Sequence, residues 1–215
     1  MPWALAREVT WRRVLRRAVL PVDSAFGTIG TASVVAPGLA LTALHVVGQE
    51  PLDGLRVGSR GVRSVATLPL LDYREAYGLA TRSRLRAQRL VGADPATDLD
   101  TVDLALLVVP GLRGPAPRLR TTRLKAGEPV IVPGYPCGRW SVTQGPVTEL
   151  DGADFAARLL LGPGASGAPV LDREARLVGV VTLDHEAGTV CVGQRLVTTF
   201  LRNIPPAEPA RWVGQ

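Results

Sequence analysis

Lysine is almost missing from this chain. Lys125 is the sole one, so the formal net charge of +6 over 215 residues is carried by arginine. Those arginines are scattered, and aromatics make up only 5% of the residues. A basic chain without aromatic residues interleaved among its cations does not read as a nucleic-acid surface; the arginines read as solvated surface charge. Cysteine is scarce as well. Cys137 and Cys191 are too few to staple a secreted domain, no metal-ligand spacing surrounds them, and they read as two buried free thiols. No apolar run is long enough to span a membrane. The first 20 residues interrupt their apolar positions with Arg7, Arg12, Arg13, Arg16 and Arg17, so they lack the uninterrupted core of a signal peptide. These absences point to a cytoplasmic protein that binds neither metal, membrane nor nucleic acid.

What is present is turn chemistry and apolar strands. With 23 glycines, 18 prolines and 46% hydrophobic residues, the chain can fill one substantial core or two small ones, with many short strands. Residues 3–20 read as a basic, partly amphipathic helix with Leu5, Val9, Trp11, Val14, Leu15 and Val19 on its apolar positions, ended by Pro21. Short β runs follow from Ala25, with a hairpin turn at Pro37-Gly38 before Leu39–Thr42. Strands are expected near Val62–Leu68 and Arg86–Val91, a loop near Asp72–Arg82, and a buried strand from Leu104 to Val109. Residues 110–125, rich in Pro, Gly and Arg, read as a linker. Beyond them come strands at 129–133, 142–150, 155–161, 168–171, 177–183 and 189–192, then a helix over 195–203. The expected units are 1–20 (N-terminal helix), 21–117 and 118–203 (two β domains) and 204–215 (tail).

Three separated segments hold chemistry. Ser166 sits in the glycine-lined turn Gly164-Ala165-Ser166-Gly167; His45 follows the strand Leu39–Thr42; Asp103 opens the apolar strand from Leu104. A serine hydroxyl is a weak nucleophile at neutral pH, and acyl transfer needs a histidine to take its proton and a carboxylate to fix that histidine's tautomer. Glycines flanking the serine suit a sharp turn that aims backbone N–H groups at one point, and the N–H groups of Gly164 and Ser166 are the natural oxyanion donors. Asp94, Asp98 and Asp100 compete for the acid's role. Asp98 lies in Thr97-Asp98-Leu99, but the continuous apolar run starts only at Leu104, which favours Asp103.

The order His, Asp, Ser is that of the chymotrypsin-like proteases. The stretch Gly30-Thr31-Ala32-Ser33-Val34-Val35-Ala36-Pro37-Gly38-Leu39-Ala40-Leu41-Thr42-Ala43-Leu44-His45, the turn Pro133-Gly134-Tyr135-Pro136-Cys137-Gly138 and the strand Leu177-Val178-Gly179-Val180-Val181 resemble trypsin-like serine proteases, nearest the bacterial Deg/HtrA-like branch. The resemblance covers residues 25–200. It implies an all-β fold of two six-stranded antiparallel β-barrels, here flanked by a short N-terminal and a C-terminal helix. It also implies peptide-bond hydrolysis through an acyl-enzyme, with no metal or organic cofactor.

By the same resemblance the primary pocket is lined by Leu160 and Leu161, by Thr182, Leu183 and Asp184, and by residues 191–193. Leu160 falls where the family places the carboxylate that receives Arg or Lys, so an apolar residue before the scissile bond is expected, with Asp184 at the rim. Ala165 replaces the Asp that in animal trypsins captures a new N-terminus, which argues against activation by N-terminal cleavage. No PDZ-like sequence follows residue 203. The expected partners are a protein or peptide substrate and a regulatory protein docked on the N-terminal helix, the alternative for that helix being packing on the chain's own barrels. The competing function is a protease-fold scaffold whose oxyanion hole is held closed; an esterase differs only in leaving group.

Overall fold

A computed structural model describes residues 11–48, 50–67, 102–185 and 188–204. The expected strand at 86–91 and loop at 72–82, and Asp94, Asp98 and Asp100, lie outside these residues, as do positions 1–10 and 205–215.

Among the described residues, the first half is one seven-stranded antiparallel sheet. Its strands are β1 (Val19–Ser24), β2 (Gly27–Ala36), β3 (Leu39–Thr42), β4 (Arg56–Val57), β5 (Arg60–Gly61), β6 (Ser64–Ala66) and β7 (Ala105–Val108), in the spatial order β5-β4-β1-β2-β3-β7-β6. The β2–β3 hairpin turns at Pro37-Gly38, where Gly38 takes φ +80°, a conformation that costs a side-chain-bearing residue more than glycine. β3 and β7 read as continuous apolar runs because both of their faces are covered. Leu39, Leu41, Leu104 and Leu106 face one cluster, while Ala40, Ala105, Leu107 and Val109 face another, the period-2 division of a strand.

The second half is a closed six-stranded barrel. It comprises β8 (Pro129–Gly134), β9 (Ser141–Asp151), β10 (Asp154–Ala157), β11 (Pro169–Leu171), β12 (Leu177–His185) and β13 (Gly188–Gly193), closing in the order β10-β13-β12-β11-β8-β9. Val130, Val132, Phe155, Val170, Val178 and Cys191 fill its interior. β10 is shorter than expected, because Leu159 N–H turns back onto the Ala157 carbonyl at 2.9 Å. Together the halves form the chymotrypsin-like two-barrel fold, the first as a half-barrel sheet.

Two helices lock the halves together. Leu196, Val197, Phe200 and Leu201 of the C-terminal helix α3 (Gln194–Asn203) share a core cluster with Leu41 and Leu106 from the first half and Leu171 and Val180 from the second. Residues 11–18 form the helix α1, and its Leu15 is buried in that same cluster with Trp11 against it. The helical pattern was expected to run to Pro21, but pairing of Val19 with Ser33 starts β1 earlier, and Pro21 lies within that strand. Tertiary pairing overrides a weak local preference here. The linker is equally tied down: Leu177 N–H donates to Arg118 O at 2.7 Å and Arg120 N–H to Leu177 O at 3.0 Å. Cys137, expected to be buried, is exposed, whereas Cys191 is buried. Among the described residues no helix is long and apolar enough to cross a membrane.

Candidate active site

The neighbouring strands β3 and β7 bring two of the chemical groups together. They pair antiparallel with Thr42 opposite Ala105, so the residues just after β3 stand beside those just before β7. His45 lies in the four-residue helix α2 (Leu44–Val47) that follows β3, and Asp103 precedes β7. His45 Nδ1 lies 3.1 Å from Asp103 Oδ1 and 3.0 Å from Oδ2, and the His45 backbone N–H donates to Oδ1 at 3.1 Å. A carboxylate facing Nδ1 holds the proton on that nitrogen and leaves Nε2 as the acceptor. The imidazole is 38% exposed and so is open to an incoming group.

The turn with Ser166 comes from the second half and packs against the first. A Cβ at Gly167 would collide with Thr42 Oγ1 and the Thr31 carbonyl, and would lie 3.0 Å from the Ala43 nitrogen, two residues before His45. Gly167 also takes φ +83°, so glycine is required there on two counts. Ser166 itself is half-buried, and its carbonyl accepts the Thr31 N–H at 2.8 Å. Among the described residues no hydrogen bond links Ser166 Oγ to His45.

Backbone pairing around the serine is uneven in a useful way. Ala165, Gly167 and Ala168 N–H donate to Gly162, Val181 and Ala165 carbonyls at 3.3, 2.8 and 3.0 Å. The N–H groups of Gly164 and Ser166 have no acceptor among the described residues. The Pro163 carbonyl accepts the Cys137 N–H at 2.6 Å. Since the C=O and N–H of one peptide unit point in opposite directions, that bond directs Gly164 N–H away from Cys137.

Of the pocket residues, Leu161 and Thr182 are buried and Leu183 and Asp184 half-buried, whereas Leu160 is 75% exposed. Leu160 therefore lies at the surface rather than beneath a pocket floor. Asp184 Oδ2 accepts the N–H groups of Leu161 and Gly162 at 3.1 and 2.8 Å, and Oδ1 accepts the Thr189 hydroxyl at 2.7 Å. Its carboxylate is occupied in bracing the segment before Ser166.

The model of the trypsin-like peptidase domain matches residues 30–180, the span that runs from Gly30 through His45 and Ser166 to Val180. The chain belongs to the trypsin-like peptidase family. Solved structures agree on the fold. The Rv3671c protease of M. tuberculosis in an inactive form superposes with TM-score 0.62 at 22% identity, over 88% of this chain and 89% of that one. Its active form gives 0.60 at 21%, over 90% and 83%. A serine endoprotease from Yersinia pestis gives 0.59 at 20%, over 89% and 65%. No curated protein matches the chain significantly in sequence.

Within this trypsin-like peptidase, the sequence did not single out two contributors near Ser166. One is Thr31, quoted only as part of a signature, whose buried hydroxyl donates to Gly164 O at 2.8 Å and accepts the Tyr135 N–H at 3.0 Å. The other is the Tyr135–Cys137 turn, quoted only as a segment that carries the resemblance, with no role assigned to it. Burial raises the Tyr135 phenol above its ordinary range, partly countered by the positive charge of Arg16. Its ring meets Trp140 edge-on at 5.4 Å, and the Arg16 guanidinium of α1 lies over the Trp140 ring, 5.5 Å from its centre.

Proposed function

We propose that this trypsin-like serine endopeptidase cleaves peptide bonds through an acyl-enzyme with a His45-Asp103-Ser166 triad. Ser166 Oγ attacks the scissile carbonyl carbon and its proton passes to His45 Nε2, while Asp103 steadies the imidazolium that forms. The proton then goes to the leaving amine, and water repeats the sequence to release the acid and restore the serine. The N–H groups of Gly164 and Ser166 receive the negative oxygen of each tetrahedral intermediate. No metal or organic cofactor takes part.

The observation that carries this reading is the Asp103 carboxylate against His45 Nδ1, together with a nucleophile turn packed on Thr42 and Ala43 of the same β3–α2 segment. The scaffold alternative requires a carbonyl to plug the oxyanion hole. The candidate plug, Pro163 O, is engaged by Cys137 N–H instead, which favours the enzyme. An apolar side chain before the scissile bond fits Leu161 and a carboxylate at Asp184 already occupied by backbone. The thiols of Cys137 and Cys191, not joined in a disulfide, fit a reducing, cytoplasmic setting, in keeping with a bacterial protein. The burial of Leu15 and the stacking of Arg16 on Trp140 favour packing of α1 on its own barrels over a docking role.

A fluorophosphonate probe tests the proposal. Labelling of the wild-type protein at Ser166, absent in Ser166→Ala and unaffected by EDTA, is the expected result. A folded wild type that neither labels nor cleaves a peptide library would instead be a scaffold.

A further inference from the structure

We infer that Thr31 is the positioning residue that holds the nucleophile turn in register with the His45 segment, by pinning the two peptide units that alternate with those carrying the oxyanion donors. The inference rests on the proposed peptidase mechanism and extends it to a residue outside the triad.

Four consecutive peptide units span the turn from Pro163 to Gly167, and each is pinned through its carbonyl. Pro163 O accepts from Cys137 N–H at 2.6 Å and Ala165 O from Ala168 N–H at 3.0 Å. The other two carbonyls are both taken by Thr31: its hydroxyl donates to Gly164 O at 2.8 Å and its backbone N–H donates to Ser166 O at 2.8 Å. A peptide unit whose carbonyl is fixed has its N–H direction fixed as well. The N–H groups of Gly164 and Ser166, which have no acceptor among the described residues, belong to the units held by Cys137 and Ala168; Thr31 holds the units next to them, whose N–H groups are those of Ala165 and Gly167, so that neither neighbour can turn and carry a donor with it. Such fixed donors give an oxyanion hole its value, because they need no reorganisation when charge develops.

Thr31 also reaches the base. Its carbonyl accepts the Thr42 hydroxyl at 2.7 Å, and Thr42 ends the strand that leads into His45. The hydroxyl that donates to Gly164 O accepts the Tyr135 N–H at 3.0 Å, so both of its hydrogen-bonding roles are filled. The residue is fully buried. One side chain and its own backbone thus join β2, the Tyr135 turn, the serine turn and the strand before His45. Any slippage between the two halves must break one of these bonds, and an error of about 1 Å between reacting groups can cost on the order of a hundredfold in rate. Valine has nearly the same shape but neither donor nor acceptor, whereas serine keeps both.

The test compares wild type, Thr31→Val and Thr31→Ser in peptide hydrolysis, fluorophosphonate labelling, thermal unfolding and hydrogen exchange of residues 133–136 and 161–168. T31V is expected to lose about 10- to 100-fold in kcat with KM changed less than about threefold, and to exchange faster in both segments. T31S is expected to stay within about threefold of wild type. A purely structural role would lower the unfolding temperature of T31V and leave the kcat of its folded fraction intact; that result overturns the inference. If T31V does not fold, T31S decides: a folded T31S that loses tenfold or more in kcat overturns it. An inert wild type overturns the proposed function, and this inference with it, whereas an active wild type matched by T31V overturns this inference alone.

Discussion

In the seven-stranded half, the groups proposed to react are side chains held by side chains. His45 sits on a helix of four residues, with no side-chain cap at its N-terminus, and what orients its ring is a single carboxylate, Asp103. In the closed barrel the relation is reversed. Ser166 and Gly164 owe their directions to backbone hydrogen bonds, with glycines at φ +88° and +83° on either side of the serine. In the proposed mechanism, the half that moves a proton relies on one exchangeable contact, and the half that presents two N–H groups to a charged oxygen relies on a turn in which every peptide unit is fixed. A proton relay tolerates small rotations of an imidazole, but an oxyanion hole loses its worth if its donors have to be reoriented.

The largest effects should come from the side-chain half and from the nucleophile. Ser166→Ala and His45→Ala are each expected to lower kcat/KM by more than about a thousandfold, with the unfolding temperature unchanged, because each removes a member of a unit that acts together. Asp103→Asn should lose about a thousandfold or more, since an amide facing Nδ1 permits the wrong tautomer. The comparison breaks here if Asp98→Asn is inactive while D103N keeps full rate: the carboxylate seen against His45 would then not be the one that works.

Next come substitutions that test the backbone half. Gly167→Ala meets both a collision with Thr42 and Thr31 and a left-handed backbone, and should cost about 3 kcal/mol of stability together with most of the activity. Gly127→Ala shares the left-handed φ, +79°, but meets nothing within 4 Å. It should cost only about 1 kcal/mol, with activity intact. Equal penalties in urea denaturation would mean that conformation alone, not close approach to the His45 segment, dictates glycine at 167.

How much of this was legible in the sequence follows the same division. The pairing of His45 with Asp103 was legible because side-chain chemistry is written in residue types, and β3 and β7 because a strand covered on both faces is a continuous apolar run. Gly164 and Gly167 were visible as glycines, but not what they approach. Thr31 was hidden because a threonine in an apolar strand reads as an ordinary β-former, and its four bonds reach as far along the chain as Gly164 and Ser166. The exposure of Leu160 was hidden for a related reason: resemblance gives position along the chain, whereas the direction of a side chain depends on Asp184, 22 residues beyond Gly162, capturing the N–H groups of Leu161 and Gly162.

Asp184 yields an intermediate effect. Asp184→Ala leaves those two N–H groups without their acceptor, a loss of the order of 1–3 kcal/mol for buried donors. It should lower kcat/KM about tenfold for peptides and much less for a small activated ester, which does not use the pocket wall. In the wild type, peptides with Arg or Lys before the scissile bond should be cleaved no better than those with apolar residues. A clear preference for basic residues that vanishes in D184A would mean that the carboxylate leaves the backbone to meet substrate.

The smallest effect lies away from the site, where the linker meets the barrel. Arg120, 8% exposed, grips both carboxylate oxygens of Glu128 and also donates to the Thr122 and Arg123 carbonyls at 3.1 Å. The hydrogen bond from Arg120 chiefly lowers the Glu128 carboxyl below its ordinary range, against a smaller opposing effect of burial. A carboxyl lowered in the folded state stabilises the protein at pH values above its unfolded range, and that stabilisation disappears as pH falls through the depressed folded value. Glu128→Gln should therefore cost about 1 kcal/mol at neutral pH, roughly 2–4 °C in unfolding temperature for a chain of this size. Toward acid the gap to wild type should close, because the wild-type carboxyl is then protonated too. kcat should not change, since neither residue touches the turn or the imidazole. A gap that persists unchanged into acid would mean that Glu128 acts through shape and packing rather than charge. A fall in kcat at equal stability would mean that the linker, and not only Thr31, sets the alignment of the two halves.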